Sequence, residues 1–263
     1  MMAPGTFPAE KEILADGQVE WAGEDGVGVI TLNRPEKLNA LTRAMMTEIT
    51  ALCTAITHRP DIRVVVFQGN GRGFCAGQDL GEHDTGETVT DKLASAFRAD
   101  LLETVAAVPQ PTLAALHGYT LGRGLMLALS CDLRFAANDA KLGYPEINYG
   151  IIPGGGGTQR LTKAVGPSRA MHMVLTGDHI DATEALDWGL VTKVVPGEEL
   201  TATVMVTARK LAAVPNNATV LAKTAVQIAV DTPLRDGIRA EKALSAIATA
   251  DPSWKANSQA GAK

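Results

Sequence analysis

The segment HGYTLGRGLMLALSCD, residues 117–132, decides how the chain is organised, read together with GRGFCAGQDL at 71–80. Each places glycines where an apolar run ends and a helical pattern begins, so that backbone N–H groups without intrahelical acceptors face outward. The run before residue 117 is Leu113 to Leu116, and the run before residue 71 is Val64-Val65-Val66-Phe67. The second is a continuous β-branched stretch of the kind shown by a parallel strand covered on both faces. Two strand–glycine–helix units side by side can aim two N–H groups at one oxygen atom, which is how an oxyanion hole is built.

Outward from these loops the pattern is alternating. Val19–Trp21 and Val27–Leu32 flank Gly23-Glu24-Asp25-Gly26, a hairpin signal. Leu41, Met45, Ile49, Leu52 and Ile56 recur at helical spacing and predict a helix between Asn39 and Pro60. Residues 81–92 are polar and acidic, which predicts a mobile loop ahead of a helix over 93–107. Beyond residue 132, short strands are expected at 133–136 and 141–143, and a third glycine cluster, Pro153 to Gly157, opens another helix. From Ser168 the pattern is helical except at Val191–Val195, and Asp181 with Glu184 has capping-box spacing. The expected organisation is a loose tail at 1–17, an α/β core at 18–196 and a helical region at 197–263.

Composition narrows the function classes. The 263 residues are 46% hydrophobic and 20% charged, enough for a large core and inconsistent with disorder. No apolar run reaches the ~18 residues of a membrane span, and the acidic N-terminus lacks the apolar core of a secretion signal. A cytoplasmic protein without membrane attachment is therefore expected. The formal charge of −5 without a basic block argues against nucleic acid as a partner. Cys53, Cys75 and Cys131 have neither the even number of a disulfide framework nor metal-ligand spacing, so they read as buried apolar side chains and no metal is expected.

Five ordered blocks carry a resemblance over most of the chain: GVITLNRPEKLNAL at 28–41, GRGFCAGQDL, HGYTLGRG, CDLRFAANDAKLGYPEINYGIIPGGGGTQRL at 131–161, and LTGDHIDATEALDWGLVTKVVP at 175–196. The chain resembles the enoyl-CoA hydratase/isomerase (crotonase) superfamily. That resemblance implies a crotonase-like (ClpP/crotonase) α/β fold of stacked ββα turns with a C-terminal helical region, assembled as homotrimers or dimers of trimers. It implies acyl-CoA thioesters as substrates, with coenzyme A entering as part of the substrate and no tightly bound cofactor. Gln78 and Arg123 are the implied oxyanion-hole donors. Lys37, Leu38, Arg72, Ala76, Gly77, Gly122 and Met126 fall on implied substrate-binding positions.

The departures sharpen the expectation. Hydratases of this superfamily commonly use two glutamates; here one position holds Glu146 and the other Met126, whose thioether cannot carry a proton at neutral pH. A single glutamate can still take a proton from one acyl carbon and return it to another, so double-bond isomerisation is favoured over hydration. Arg123 replaces the usual glycine, and its side chain has two expected destinations: Glu146, or a carboxylate on the substrate. The second would fit an acyl-CoA decarboxylase or a carbon–carbon bond-cleaving enzyme. A catalytically impaired acyl-CoA-binding relative is the third reading. The ending ANSQAGAK lacks the basic tail of many family members.

Overall fold

In the computed structural model, which describes residues 12–82, 86, 88–96, 100–214, 217–250 and 254, the chain opens as a meander. Strands β1 (Glu12–Leu14), β2 (Val19–Glu24) and β3 (Val27–Leu32) pair antiparallel in sequence order. Asp25 and Gly26 both take positive φ, 51° and 79°, the two-residue turn whose twist matches the strands it joins. The expected loose tail is thus too long: residues 1–11 lie outside the described residues, and Glu12–Leu14 is an edge strand.

Helix α1 (Arg43–Ile56) follows, its first turn closed by Thr42, whose hydroxyl accepts from the Met45 N–H at 3.2 Å. It leads to β4 (Val64–Gly69). The single helix expected over 93–107 is instead two, α2 (Val89–Ala96) and α3 (Leu101–Ala107). Asp100 explains the restart: its backbone is extended and its carboxylate accepts from the N–H groups of Leu102 and Glu103. Of the loop expected over 81–92, residues 83–85 and 87 lie outside the described residues, while its end, from Val89, is already helical in α2.

Next come β5 (Thr112–Leu116), β6 (Tyr119–Leu121), α4 (Arg123–Ser130), β7 (Leu133–Ala137) and β8 (Lys141–Gly143). Helices α5 (Gly157–Val165) and α6 (Pro167–Thr176), strand β9 (His179–Asp181), helix α7 (Ala182–Asp187) and strand β10 (Lys193–Val195) complete the core. Three helices end the described chain: α8 (Leu200–Ala212), α9 (Ala218–Asp231) and α10 (Leu234–Ala250). The run after Ser168 is therefore interrupted twice, at β9 as well as at β10.

The main sheet has the order β1-β2-β3-β4-β5-β7-β10 and is parallel from β3 onward; β6, β8 and β9 form a second, smaller sheet. Alternation along the central strands feeds two cores. Val65, Phe67, Ala114 and Leu116 pack with α1, α3 and α4, while Val64, Val66, Leu113 and Ala115 pack against Val204, Ala208 and Ala212 of α8. Each large apolar side chain so buried contributes about 1.5–3 kcal/mol. Helix α8 thus belongs to the core, and the part that stands apart is α9 with α10, which bury none of their own residues. Lys223 ties α9 back: its Nζ lies 2.8 Å from Asp132 Oδ2 and donates to the carbonyls of Val108 and Gln110.

Candidate active site

The two glycine loops leave the carboxyl ends of the neighbouring strands β4 and β5, where ligands gather in open α/β sheets. They zip together through the backbone. Phe74 N–H donates to His117 O at 2.8 Å, Cys75 N–H to Tyr119 O at 3.0 Å and Leu121 N–H to Cys75 O at 2.9 Å. On the other side, Ala76 N–H donates to Leu38 O, Leu41 N–H to Gly77 O and Asp79 N–H to Leu41 O. Fully buried Asn39 locks the arrangement: its amide donates to Asn70 O and Gly73 O, each at 2.8 Å, and its carbonyl accepts from Arg34 N–H. Arg34 also pairs with Asp79.

Between these bonds, two N–H groups are skipped. Among the described residues neither Gln78 N–H nor Arg123 N–H donates to a protein acceptor. A Cβ placed on Gly77 would lie only 3.7 Å from the Arg123 nitrogen, so the two loops close on each other at this point. Glycine is required at two places. Gly122 has φ 52° and ψ −124°, a conformation that side chains exclude, and a Cβ on Gly124 would stand 2.2 Å from Cys75 O. These two positions let the start of α4 reach the first loop.

The two residues that carry the skipped donors, Gln78 and Arg123, line a cavity of about 780 Å³. Ala76, Gly77, Gln78, Gly122 and Arg123 line one side; Met126, Glu146, Tyr149, Ile152 and Gly155 line another. Glu146 sits on a single 3₁₀ turn, Pro145–Tyr149, following fully buried Tyr144. Its Oε1 would be 3.0 Å from a Cβ on Gly122, and its Oε2 is buried without a hydrogen-bond partner among the described residues. Burial pushes its pKa above the usual carboxylate range, opposed in part by its own backbone N–H. Met126, one turn into α4, is 4% exposed and places sulfur, not a carboxylate, on this wall.

The Arg123 side chain does not take the expected course to Glu146. Its Nη2 lies 3.3 Å from Asp100 Oδ2 at the start of α3, and its Nη1 points at the Met46 sulfur of α1 at 3.1 Å. Glu146 is not among its ion-pair partners within the described residues.

Of the positions expected from sequence, the structure gathers Ala76, Gly77, Gln78, Gly122, Arg123, Met126 and Glu146 around one cavity. Leu38 does not line it but braces the first loop, its carbonyl, held at positive φ, accepting from Ala76 N–H. The side chains of Arg72 and Lys37 lie on exposed turns and do not line the cavity. Three residues went unnoticed in the sequence: Arg43 and Glu82, which line the cavity and are joined by a 2.7 Å bond from Arg43 N–H to Glu82, and Asp100. Asp100 had a readable signal, an Asp three residues before Glu103 at the head of an apolar run. Cys75 is buried with its thiol pushed up to about 12, unsuited to act as a nucleophile. Among the described residues no His, Cys, Asp and Glu cluster could hold a metal, and no helix is long and apolar enough to cross a membrane.

Comparisons with known proteins find relatives over most of the chain. The family model described as enoyl-CoA hydratase/isomerase matches residues 22–260. The chain is 43% identical over 233 residues to the probable enoyl-CoA hydratase of Mycobacterium bovis, covering 86% of this chain and 88% of that protein. It is 38% identical over 227 residues to the mitochondrial enoyl-CoA hydratase of Pongo abelii, covering 86% and 78%. The crystal structure of an enoyl-CoA hydratase from Bacillus anthracis superposes with a TM-score of 0.86 at 34% identity, covering 92% of this chain and 95% of that one. The expected fold of stacked α/β turns with a C-terminal helical region is the one these neighbours share.

Proposed function

Because the chain belongs to the enoyl-CoA hydratase/isomerase family, whose enzymes act on coenzyme A thioesters, we propose that it moves a carbon–carbon double bond within an acyl-CoA by a one-glutamate proton shuttle. The thioester oxygen accepts from Gln78 N–H and Arg123 N–H. Glu146 takes a proton from the α-carbon of a 3-enoyl-CoA, the electron pair delocalises onto the thioester oxygen as a dienolate, and the same carboxyl returns the proton to the γ-carbon. A 2-enoyl-CoA results. Each fixed N–H donor is worth about 3 kcal/mol once charge develops on that oxygen. The burial that raises Glu146 brings its basicity closer to what abstraction of such a proton requires.

The observation that carries this reading is the buried Oε2 of Glu146, without a hydrogen-bond partner among the described residues, on a wall where the facing helix offers Met126. Hydration by two glutamates needs a second carboxylate to hold water, and a thioether supplies none. Glu82 also lines the cavity, on the first-loop side beside Arg43, whose N–H donates to one of its two oxygens; the helix that faces Glu146 offers no carboxylate. The decarboxylase and bond-cleaving alternatives rely on Arg123 orienting a substrate carboxylate; its pairing with Asp100 favours them less, because the guanidinium charge is already met. We read the exposed apolar side chains of α9 and α10, Val226, Val230, Leu234 and Ile238 among them, as the surface on which copies assemble into trimers or dimers of trimers.

The test is to supply 3-enoyl-CoA and 2-enoyl-CoA separately. Isomerisation of the first outpaces water addition to the second if Glu146 works alone; faster hydration would sink the one-glutamate reading.

A further inference from the structure

Arg123 contributes more to the cavity than its backbone. A guanidinium carries five N–H donors. One meets Asp100 at 3.3 Å and another faces the Met46 sulfur at 3.1 Å, a weak acceptor. A Cβ on Gly155 would lie 3.6 Å from Arg123 Nη2 and 3.1 Å from the Met126 sulfur, so the guanidinium, Met126 and Gly155 form one continuous patch of the cavity wall. An acyl chain resting there meets donors, not only hydrocarbon.

Three kinds of acyl chain can be weighed against that patch. A plain hydrocarbon would strip water from the remaining donors and return nothing, at a cost of roughly tenfold in affinity. A carboxylate would meet a guanidinium whose charge Asp100 already balances, in a cavity where the second cation, Arg43, is itself matched by Glu82 and where Glu146 adds a further carboxyl. A neutral oxygen replaces the lost water without adding a like charge, and a hydrogen bond from a charged donor is among the stronger ones.

We propose that the acyl group accepted here carries a neutral oxygen, a hydroxyl or carbonyl, beyond its reacting carbons, where it accepts from the Arg123 guanidinium. This rests on the reading of the cavity as an acyl-CoA site, and it makes Arg123 the residue that sets acyl specificity.

Calorimetric titration of the whole protein with three S-alkyl-CoA thioethers of equal chain length, ending in a methyl, a hydroxyl or a carboxylate, tests it. These analogues cannot react, so the outcome does not depend on the role of Glu146. The hydroxyl analogue is expected to bind about tenfold tighter than the methyl one, with the carboxylate weaker than the hydroxyl. Arg123→Met removes the hydroxyl advantage. Asp100→Asn keeps an N-cap for α3 but frees the guanidinium charge, so it raises affinity for the carboxylate analogue about tenfold. Tightest binding of the methyl or of the carboxylate analogue by the wild type overturns the proposal, as does a hydroxyl preference that survives Arg123→Met. Binding of none of the three would strike the acyl-CoA reading itself, whereas the other failures leave that reading standing.

Discussion

One wall of the cavity is built from backbone and the other from side chains, and the two carry different information. The loop wall, residues 73–78 with 118–124, is held by main-chain hydrogen bonds and by Asn39, and offers two N–H groups that any thioester could use. The opposite wall, with Met126, Glu146 and the Arg123 guanidinium that Asp100 holds from behind, is set by the side chains this chain happens to carry. In the mechanism we propose, the first wall stabilises an enolate in general, and the second decides where the proton goes and which acyl group fits.

Breaking the side-chain wall at its base has the largest expected effect. Glu146→Gln keeps the shape and removes the proton carrier, and isomerisation should fall about a thousandfold, measured as kcat under saturating 3-enoyl-CoA. Breaking the backbone wall comes next. Gly124→Ala drives a methyl against Cys75 O, shifts the start of α4 and spoils the aim of Arg123 N–H, lowering kcat about a hundredfold. Thermal denaturation of the same variant should register overpacking of about 1–3 kcal/mol.

Met126→Glu sharpens the comparison by altering chemistry on the side-chain wall while the loops stay intact. A second carboxylate able to hold water should raise hydration relative to isomerisation about tenfold, read from 3-hydroxyacyl-CoA formed against 2-enoyl-CoA. The smallest effect is on stability. Burial raises the folded-state pKa of Glu146 above its unfolded value, so its stabilising contribution is complete below the unfolded pKa and is lost as pH rises through the folded one. Glu146→Gln should therefore melt above the wild type at neutral pH and level with it well below the carboxylate range. The same direction of shift places the acid limb of kcat/KM above the ordinary range for a glutamate, since the base must be ionised to act.

The backbone wall was legible in the sequence because its requirements are conformational. Glycines at 77, 122 and 124 after apolar strands announce where the chain turns sharply and where two segments approach, and no partner residue has to be guessed. Strands β4 and β5 were readable for a similar reason: burial on both faces removes the need for polar alternation. Strands β6 and β9, three residues each, were missed because both pair with β8 across long stretches of chain, and the first sits inside the glycine loop while the second runs into the Asp181 helix cap. The course of Arg123 could not be read because its partner, Asp100, is 23 residues away and is placed by the start of α3. The sequence resemblance named Met126 and Glu146 as a pair of positions, but that Glu146 would be buried with one oxygen unpartnered is a property of the packed wall.

The single-glutamate shuttle is tested most directly with a 3-enoyl-CoA carrying two deuterium atoms at the α-carbon, turned over once in ordinary water. A carboxyl that both removes and returns the proton should deliver part of the label to the γ-carbon of the 2-enoyl-CoA product. Complete loss of the label to solvent, with 3-hydroxyacyl-CoA as the main product, would contradict the account.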